Sequence, residues 1–192
     1  KGKAVMHGAS AEVMRRYQED LNMVPTAAIQ KVLRLPEKTE KKGIHITHLG
    51  FQDADGVPLE ALVSGEPAQL NVGCTAYESA KDVSLTLIVR ELSKNSARIL
   101  SVTSAADGSL FSVSAGKFSL QTQWPACALK PGIYSVKVAV TLAKGTENIY
   151  MFDGVESFVF RVTSRRDMSE CAFYQPRSWR IIGPAKARSE PA

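Results

Sequence analysis

Cysteine is scarce in this 192-residue sequence, and the little there is does not pair up. Cys74, Cys127 and Cys171 are an odd set without a CxxC. They give neither a disulfide framework nor a thiolate metal site, and a reducing compartment fits them better. Long apolar runs are missing too: nothing approaches the ~20 residues of a membrane helix. Lys1 and Lys3 stand near the N-terminus without the apolar stretch of a signal peptide. Phosphate-cradling loops are absent: Gly108 and Gly116-Lys117 have the wrong spacing for a P-loop, and Phe118 stands where Ser or Thr is required. There is no GxSxG elbow. His7 is isolated. His45 and His48 lie three apart in a strand-patterned stretch, which predicts opposite faces and speaks against a two-histidine metal site. Asp53, Asp55 and Glu60 leave three residues between Gly56 and Glu60, where a calcium loop needs five, so a turn is expected there. No carboxylate pair can be nominated for glycoside hydrolysis.

What is present is ordinary for a folded chain: 44% hydrophobic and 22% charged residues. The net charge is +5. Much of the excess sits late, at Arg161, Arg165, Arg166, Arg177, Arg180, Lys186 and Arg188. These residues lack the aromatic interleaving of a single-strand binder and any helix-turn-helix or zinc-finger spacing. A solvated basic tail is expected, and no nucleic-acid partner.

The periodicity changes along the chain. Ser10 can cap a helix from Ala11 to about Leu21, with Val13, Tyr17 and Leu21 on one face. Pro25 ends it. Ile29, Val32 and Leu33 predict a second short helix stopped by Pro36, and Glu37–Lys42 reads as a charged linker. From Gly43 the period is two. Strands are expected at Ile44–Phe51, Gln69–Tyr77, Asp82–Leu92, Arg98–Thr103, Lys117–Trp124, Ile133–Leu142 and Val155–Thr163. Each has one apolar and one wet face, as an antiparallel sandwich requires. The fold class is therefore all-β: an antiparallel immunoglobulin-like or jelly-roll sandwich preceded by a short N-terminal helical segment.

Several segments resemble one family. GKAVMHGASAEVMRRYQ looks like the closing strand, turn and helix of an ABC transporter nucleotide-binding domain. VSGEPAQLNVGCTAYESAKDVSLTLIVRE, LKPGIYSVKVAV and FDGVESFVFRV resemble, in order and spacing, strands of the C-terminal domain of O-antigen ABC transporter ATP-binding subunits of the Wzt type. The likeness covers roughly Lys3–Val162, and a late Trp such as Trp179 is also typical. The tail MSECAFYQPRSW lacks the glycine-centred turn that the family carries before that Trp.

The resemblance implies a division into residues 1–22, the end of an upstream ATPase domain; 23–42, a linker; 43–164, a glycan-binding sandwich; and 165–192, a tail that is exchanged between subunits in some members. ATP and Mg would belong to the ATPase domain and no cofactor to this chain, which is expected not to be an enzyme. Its implied work is non-catalytic recognition of O-antigen polysaccharide, or of its modified terminus, at the cytoplasmic face of the bacterial inner membrane. The implied partners are a second copy and the transmembrane permease. The alternatives are a purely structural or dimerisation module, and a β-sandwich glycan-active enzyme.

Sugars are held by aromatic faces and planar polar side chains on exposed sheet surfaces. The third, sixth and seventh long strands should share a sheet, whose outward residues include Thr86, Arg90, Ser135, Lys137, Ser157 and Arg161. Arg90, Lys137, Arg161 and Thr86 are the candidates there, suited to an anionic glycan. The other sheet offers Asn71, Thr75, Gln121 and an outward Tyr77. Tyr150 and Phe152, in the loop before the last strand, are further sugar-binding candidates, with Phe152 read rather as a core anchor. Tyr134, Trp124 and Trp179 are expected to pack.

Overall fold

The computed structural model describes Ser10 and residues 29–92 and 97–165. Among these residues ten strands form two facing sheets. The first sheet has the order β1-β2-β4-β8, from β1 (Val32–Arg34), β2 (Ile44–Gln52), β4 (Ala68–Ala76) and β8 (Gly116–Trp124). The second has the order β3-β10-β9-β5-β6, from β3 (Leu62–Val63), β10 (Glu147–Thr163), β9 (Gly132–Lys144), β5 (Ala80–Glu91) and β6 (Arg98–Thr103), with β7 (Phe111–Val113) also pairing with β5. The expected partnership of β5, β9 and β10 is present, and one pairing departs from the antiparallel expectation: β3 runs parallel to β10.

The two-residue period places the core. Ile44, Ile46, Leu49 and Phe51 of β2 and Leu70, Val72 and Cys74 of β4 face Val83, Leu85, Leu87 and Val89 of β5, Tyr134, Val136, Val138 and Val140 of β9, and Phe158 and Phe160 of β10. All are buried, each aliphatic or Phe side chain contributing ~1.5–3 kcal/mol on transfer from water. Tyr134, core as expected, donates its hydroxyl hydrogen bond to Lys130 O at 2.9 Å. Trp124 packs on Phe51 with ring centroids 5.2 Å apart.

Three expectations are corrected. The predicted second helix is extended chain: Val32–Arg34 pairs with Leu49 and its neighbours as β1, and Ile29 bridges Val159. Ile29, Val32 and Leu33 satisfy a helical spacing, but a free edge of β2 gives these branched residues a paired, half-buried place. The loop expected before the last strand is the first half of β10, so Tyr150 and Phe152 lie on a strand. His45 and His48 share one face, because a bulge between Ile46 and His48 shifts the phase by one residue. Core residues before it are Ile44 and Ile46, and after it Leu49 and Phe51.

A second bulge, between Met151 and Asp153, turns the Asp153 carboxylate into the sandwich. It accepts hydrogen bonds from Ile46 N at 2.8 Å, Gly154 N at 2.8 Å and Lys38 Nζ at 2.5 Å. One buried side chain thus ties β10 to β2 and to the segment leading into it. Gly43, at φ 65°, precedes β2 and lies against Phe152, where a Cβ would come within 3.2 Å of the ring. Asp53 caps its own turn by accepting from Asp55 N and Val57 N, as expected for the DADG stretch. The helix expected at Ala11–Leu21, Cys171, Trp179 and the tail beyond Arg165 lie outside the described residues.

Candidate functional site

The candidate residues divide between two surfaces on opposite sides of the sandwich. Thr86, Arg90, Lys137 and Arg161 do share the outer face of the larger sheet, as expected. Thr86 is opposite Ala139, Arg90 opposite Ser135, and Arg161 opposite Ile133. Much of that face is occupied with itself. Asn148 Nδ2 donates to Thr86 Oγ1 at 2.9 Å, and Thr141 Oγ1 donates to Asn148 Oδ1 at 2.8 Å. Buried Ser84 Oγ lies 2.9 Å from Thr103 Oγ1 and accepts from Ala105 N. A bulge between Val155 and Phe158 sets both Glu156 and Ser157 against Lys137, and Glu156 holds the Lys137 ammonium with both oxygens, at 2.6 and 2.8 Å. Arg90 and Arg161 stay exposed. Tyr150, well exposed, meets Phe152 edge-on at the start of β10 and does not join that group.

Asn71 and Tyr77 belong to the smaller sheet, whose outer face falls into cross-strand rows. Moving outward from β1 or β2 to β8, these are Arg34–His48–Gly73–Ser119, Val32–Gly50–Asn71–Gln121, Gln52–Gln69–Gln123 and His45–Thr75–Lys117. Apart from Val32 and the two glycines, every position in these rows is polar. Tyr77 follows at the end of β4, its ring set edge-on to His45 with centroids 5.1 Å apart. Gly73 is what lets the His48 ring cross the strand: a Cβ there would lie 2.0 Å from His48 Cε1. His48 Nδ1 is 3.0 Å from Thr47 Oγ1, which leaves Nε2 for another partner. The result is a hollow of about 580 Å³ lined by the polar Arg34, Thr47, His48, Lys117 and Ser119 and by the apolar Leu35, Cys74 and Phe118. That is within the ~300–1,000 Å³ usual for small-molecule sites.

This face has unused hydrogen-bonding capacity. Asn71 Oδ1 and His45 Nδ1 are buried and have no partner. Such atoms are rare in native folds, each costing ~1–3 kcal/mol. By contrast the thiols of Cys74 and Cys127 are held protonated. Burial pushes the Cys74 pKa to about 12, with nearby Asp153 adding to the shift, and burial also raises that of Cys127. Both are free and buried. Among the described residues no group of His, Cys, Asp and Glu could hold a metal ion.

Residues 36–173 match the family described as the Wzt C-terminal domain. The chain belongs to that family. Wzt C-terminal domains are non-catalytic domains associated with O-antigen ABC transporters. Among solved structures, the crystal structure of the C-terminal domain of Wzt matches with a TM-score of 0.61 at 14% identity, over 78% of this chain and 87% of that one. At that identity the likeness shows the shared Wzt fold. A Niemann-Pick type C2 protein from the Japanese carpenter ant gives a TM-score of 0.43 at 8% identity, over 67% and 99% of the two chains. The Pseudomonas fluorescens alkylpurine DNA glycosylase AlkC gives 0.38 at 15%, over 63% and 30%. Neither of these two is close enough to carry an argument. No curated protein matches. No helix among the described residues is long and apolar enough to cross a membrane.

The sequence pointed to Asn71 and Tyr77 but missed His48, Arg34, Ser119 and Lys117 as their neighbours. The bulge hid His48, and the helical reading of Ile29–Leu33 hid Arg34. Strand alternation did place Lys117 outward.

Proposed function

We propose that this Wzt C-terminal domain is a carbohydrate-binding module that recognises O-antigen polysaccharide for export, and that it does so on the outer face of the smaller sheet. One observation carries the choice of face. The rows around Asn71 hold amides, hydroxyls and imidazoles with unused donors and acceptors, whereas those around Thr86 and Lys137 largely satisfy one another. A sugar ring presents alternating hydroxyls and an apolar face, which suits amide rows beside Tyr77. In this reading residues 1–22 close an upstream ATPase domain that binds ATP and Mg. The chain works as a homodimer beside the membrane permease, at the cytoplasmic face of the inner membrane.

The test is retention of purified cognate O-polysaccharide by the immobilised chain. Retention by the wild type is expected. Asn71→Ala with Gln121→Ala should weaken it about tenfold or more, as expected when two hydrogen bonds of ~1 kcal/mol each are lost. Thr86→Ala with Arg90→Ala should leave it unchanged. A wild-type chain that retains none of the polysaccharide sinks the proposal.

A further inference from the structure

We infer that a second hollow, at the open seam between the two sheets, binds a single-chain amphiphile with a phosphate head. β6 and β8 end the larger and the smaller sheet, and no described strand pairs with either on its far side. Between them lies a hollow of about 540 Å³, again of the size usual for small-molecule sites. Arg98, Ile99 and Leu100 of β6, Gln123 and Trp124 of β8, and Leu129 line it. Three consecutive residues of one strand reach one hollow because the pairing of β5 with β6 is bulged after Val89, which leaves Ile99 as the extra residue. Apart from Arg98 and Gln123, the lining is hydrocarbon and the Trp124 ring. The wall formed by the connection from β8 to β9 is fixed before any ligand arrives. Cys127 N donates to Glu66 O at 2.7 Å, Gly65 N to Cys127 O at 2.8 Å, and Ser64 Oγ to Leu129 O at 2.7 Å. An apolar chain entering this recess removes both its own surface and that of the lining from water.

Charge at the rim selects the head. Arg98 is the cross-strand partner of Arg90, and both are exposed. Like charges so placed repel. Ion pairs elsewhere engage Lys31, Lys38, Lys130, Lys137 and Arg165, but no carboxylate among the described residues pairs with Arg90 or Arg98. Glu91, next in the chain, is held by Lys130 at 3.3 Å. A phosphate at the rim brings a counter-charge to both guanidinium groups, each a planar fork that matches its oxygens. A neutral amphiphile would fill the same hydrocarbon space and leave the repulsion in place. The recess has room for one chain, so the amphiphile arrives as a monomer from solution and not as part of a bilayer surface. The site is separate from the glycan face and shares only Gln123 with its polar rows.

The test titrates the 192-residue chain, labelled with nitrogen-15, with decyl phosphate, octyl phosphate and the neutral tetraethylene glycol monodecyl ether, each below its micelle-forming concentration. Decyl phosphate should saturably shift the amides of Arg98, Ile99, Leu100 and Ala128 and the indole N–H of Trp124. Octyl phosphate, two methylenes shorter, should bind about tenfold more weakly. The neutral ether should bind at least about fivefold more weakly than decyl phosphate, and Arg98→Gln should remove most of that difference while keeping the dependence on chain length. Ala128→Phe fills the hollow from an exposed position and should abolish binding, with the rest of the spectrum and the retention of polysaccharide as in the wild type. Arg34→Gln with Lys117→Gln should bind decyl phosphate as the wild type does. Equal binding of the charged and neutral amphiphiles overturns the inference. So does the absence of a saturable response here, the result expected if the chain itself or a second copy already fills the hollow. Binding to phosphatidylglycerol vesicles without binding of monomeric decyl phosphate overturns it as well.

Discussion

Two residues carry more than their neighbours. Asp153 is buried and is the shared acceptor for Ile46 N, Gly154 N and Lys38 Nζ. Asp153→Ala strands two backbone donors and a cation at the join between sheets. A cost of ~2–4 kcal/mol is expected, from the two backbone donors left without an acceptor. Lys38→Ala, whose side chain is half exposed, should cost under ~1 kcal/mol. Urea unfolding of both variants checks the contrast, and equal losses would contradict it. Gly73 carries geometry instead of energy. Gly73→Ala puts a methyl group into the His48 ring, so the imidazole must leave the hollow. The expected result is near-unchanged thermal stability, a displaced His48 Cε1–H resonance and several-fold weaker polysaccharide retention. An unmoved His48 signal would be the contrary finding.

At the scale of elements, bulges decide which side chains reach the candidate site. The strand interiors were legible because β4 and β9, and β5 from Val83 to Val89, alternate without a break, and their inward residues are those expected. The bulge in β2 left a trace that a two-residue period passes over. In IHITHLGF the apolar positions step from Ile44 and Ile46 to Leu49 and Phe51 across adjacent polar Thr47 and His48, and the fit to β4 shows that Thr47 is the extra residue. The same is true of Glu156 and Ser157, so the salt bridge that occupies Lys137 was hidden although Lys137 itself was in view. The first half of β10, ENIYMF, has no polar-apolar alternation and its exposed Ile149, Tyr150 and Met151 resemble a loop. Deleting Thr47 should remove the bulge and force either His45 or His48 to face the core. A loss of several kcal/mol, ~3 or more from burying an unpartnered imidazole, is expected in denaturant titration. A deletion variant of wild-type stability would mean that the bulge is incidental.

For the molecule as a whole, the buried ionisable groups set the behaviour at alkaline pH. Burial raises Cys74 to about 12 from an ordinary 9.0, and burial with a smaller contribution from Glu91 raises Tyr134 above 10.0. Both groups stay protonated in the fold at pH values where the unfolded chain has released its protons. The folded state then binds more protons, so stability is full below pH 9 and falls as pH rises towards 12. Unfolding midpoints at pH 8 and 10.5 should show this fall, and Cys74→Val should reduce it; a flat profile would contradict the assignment. The family and the all-β architecture were legible from ordered segments such as LKPGIYSVKVAV. The choice between two polar faces was not, since it depends on which polar groups already hold one another.

That choice is tested most directly by mapping amide shifts in the labelled chain on titration with its cognate O-polysaccharide. The account predicts perturbations at Arg34, His48, Asn71, Gln121 and Tyr77. Perturbations confined to Thr86, Arg90, Lys137 and Arg161, or none anywhere, would contradict it.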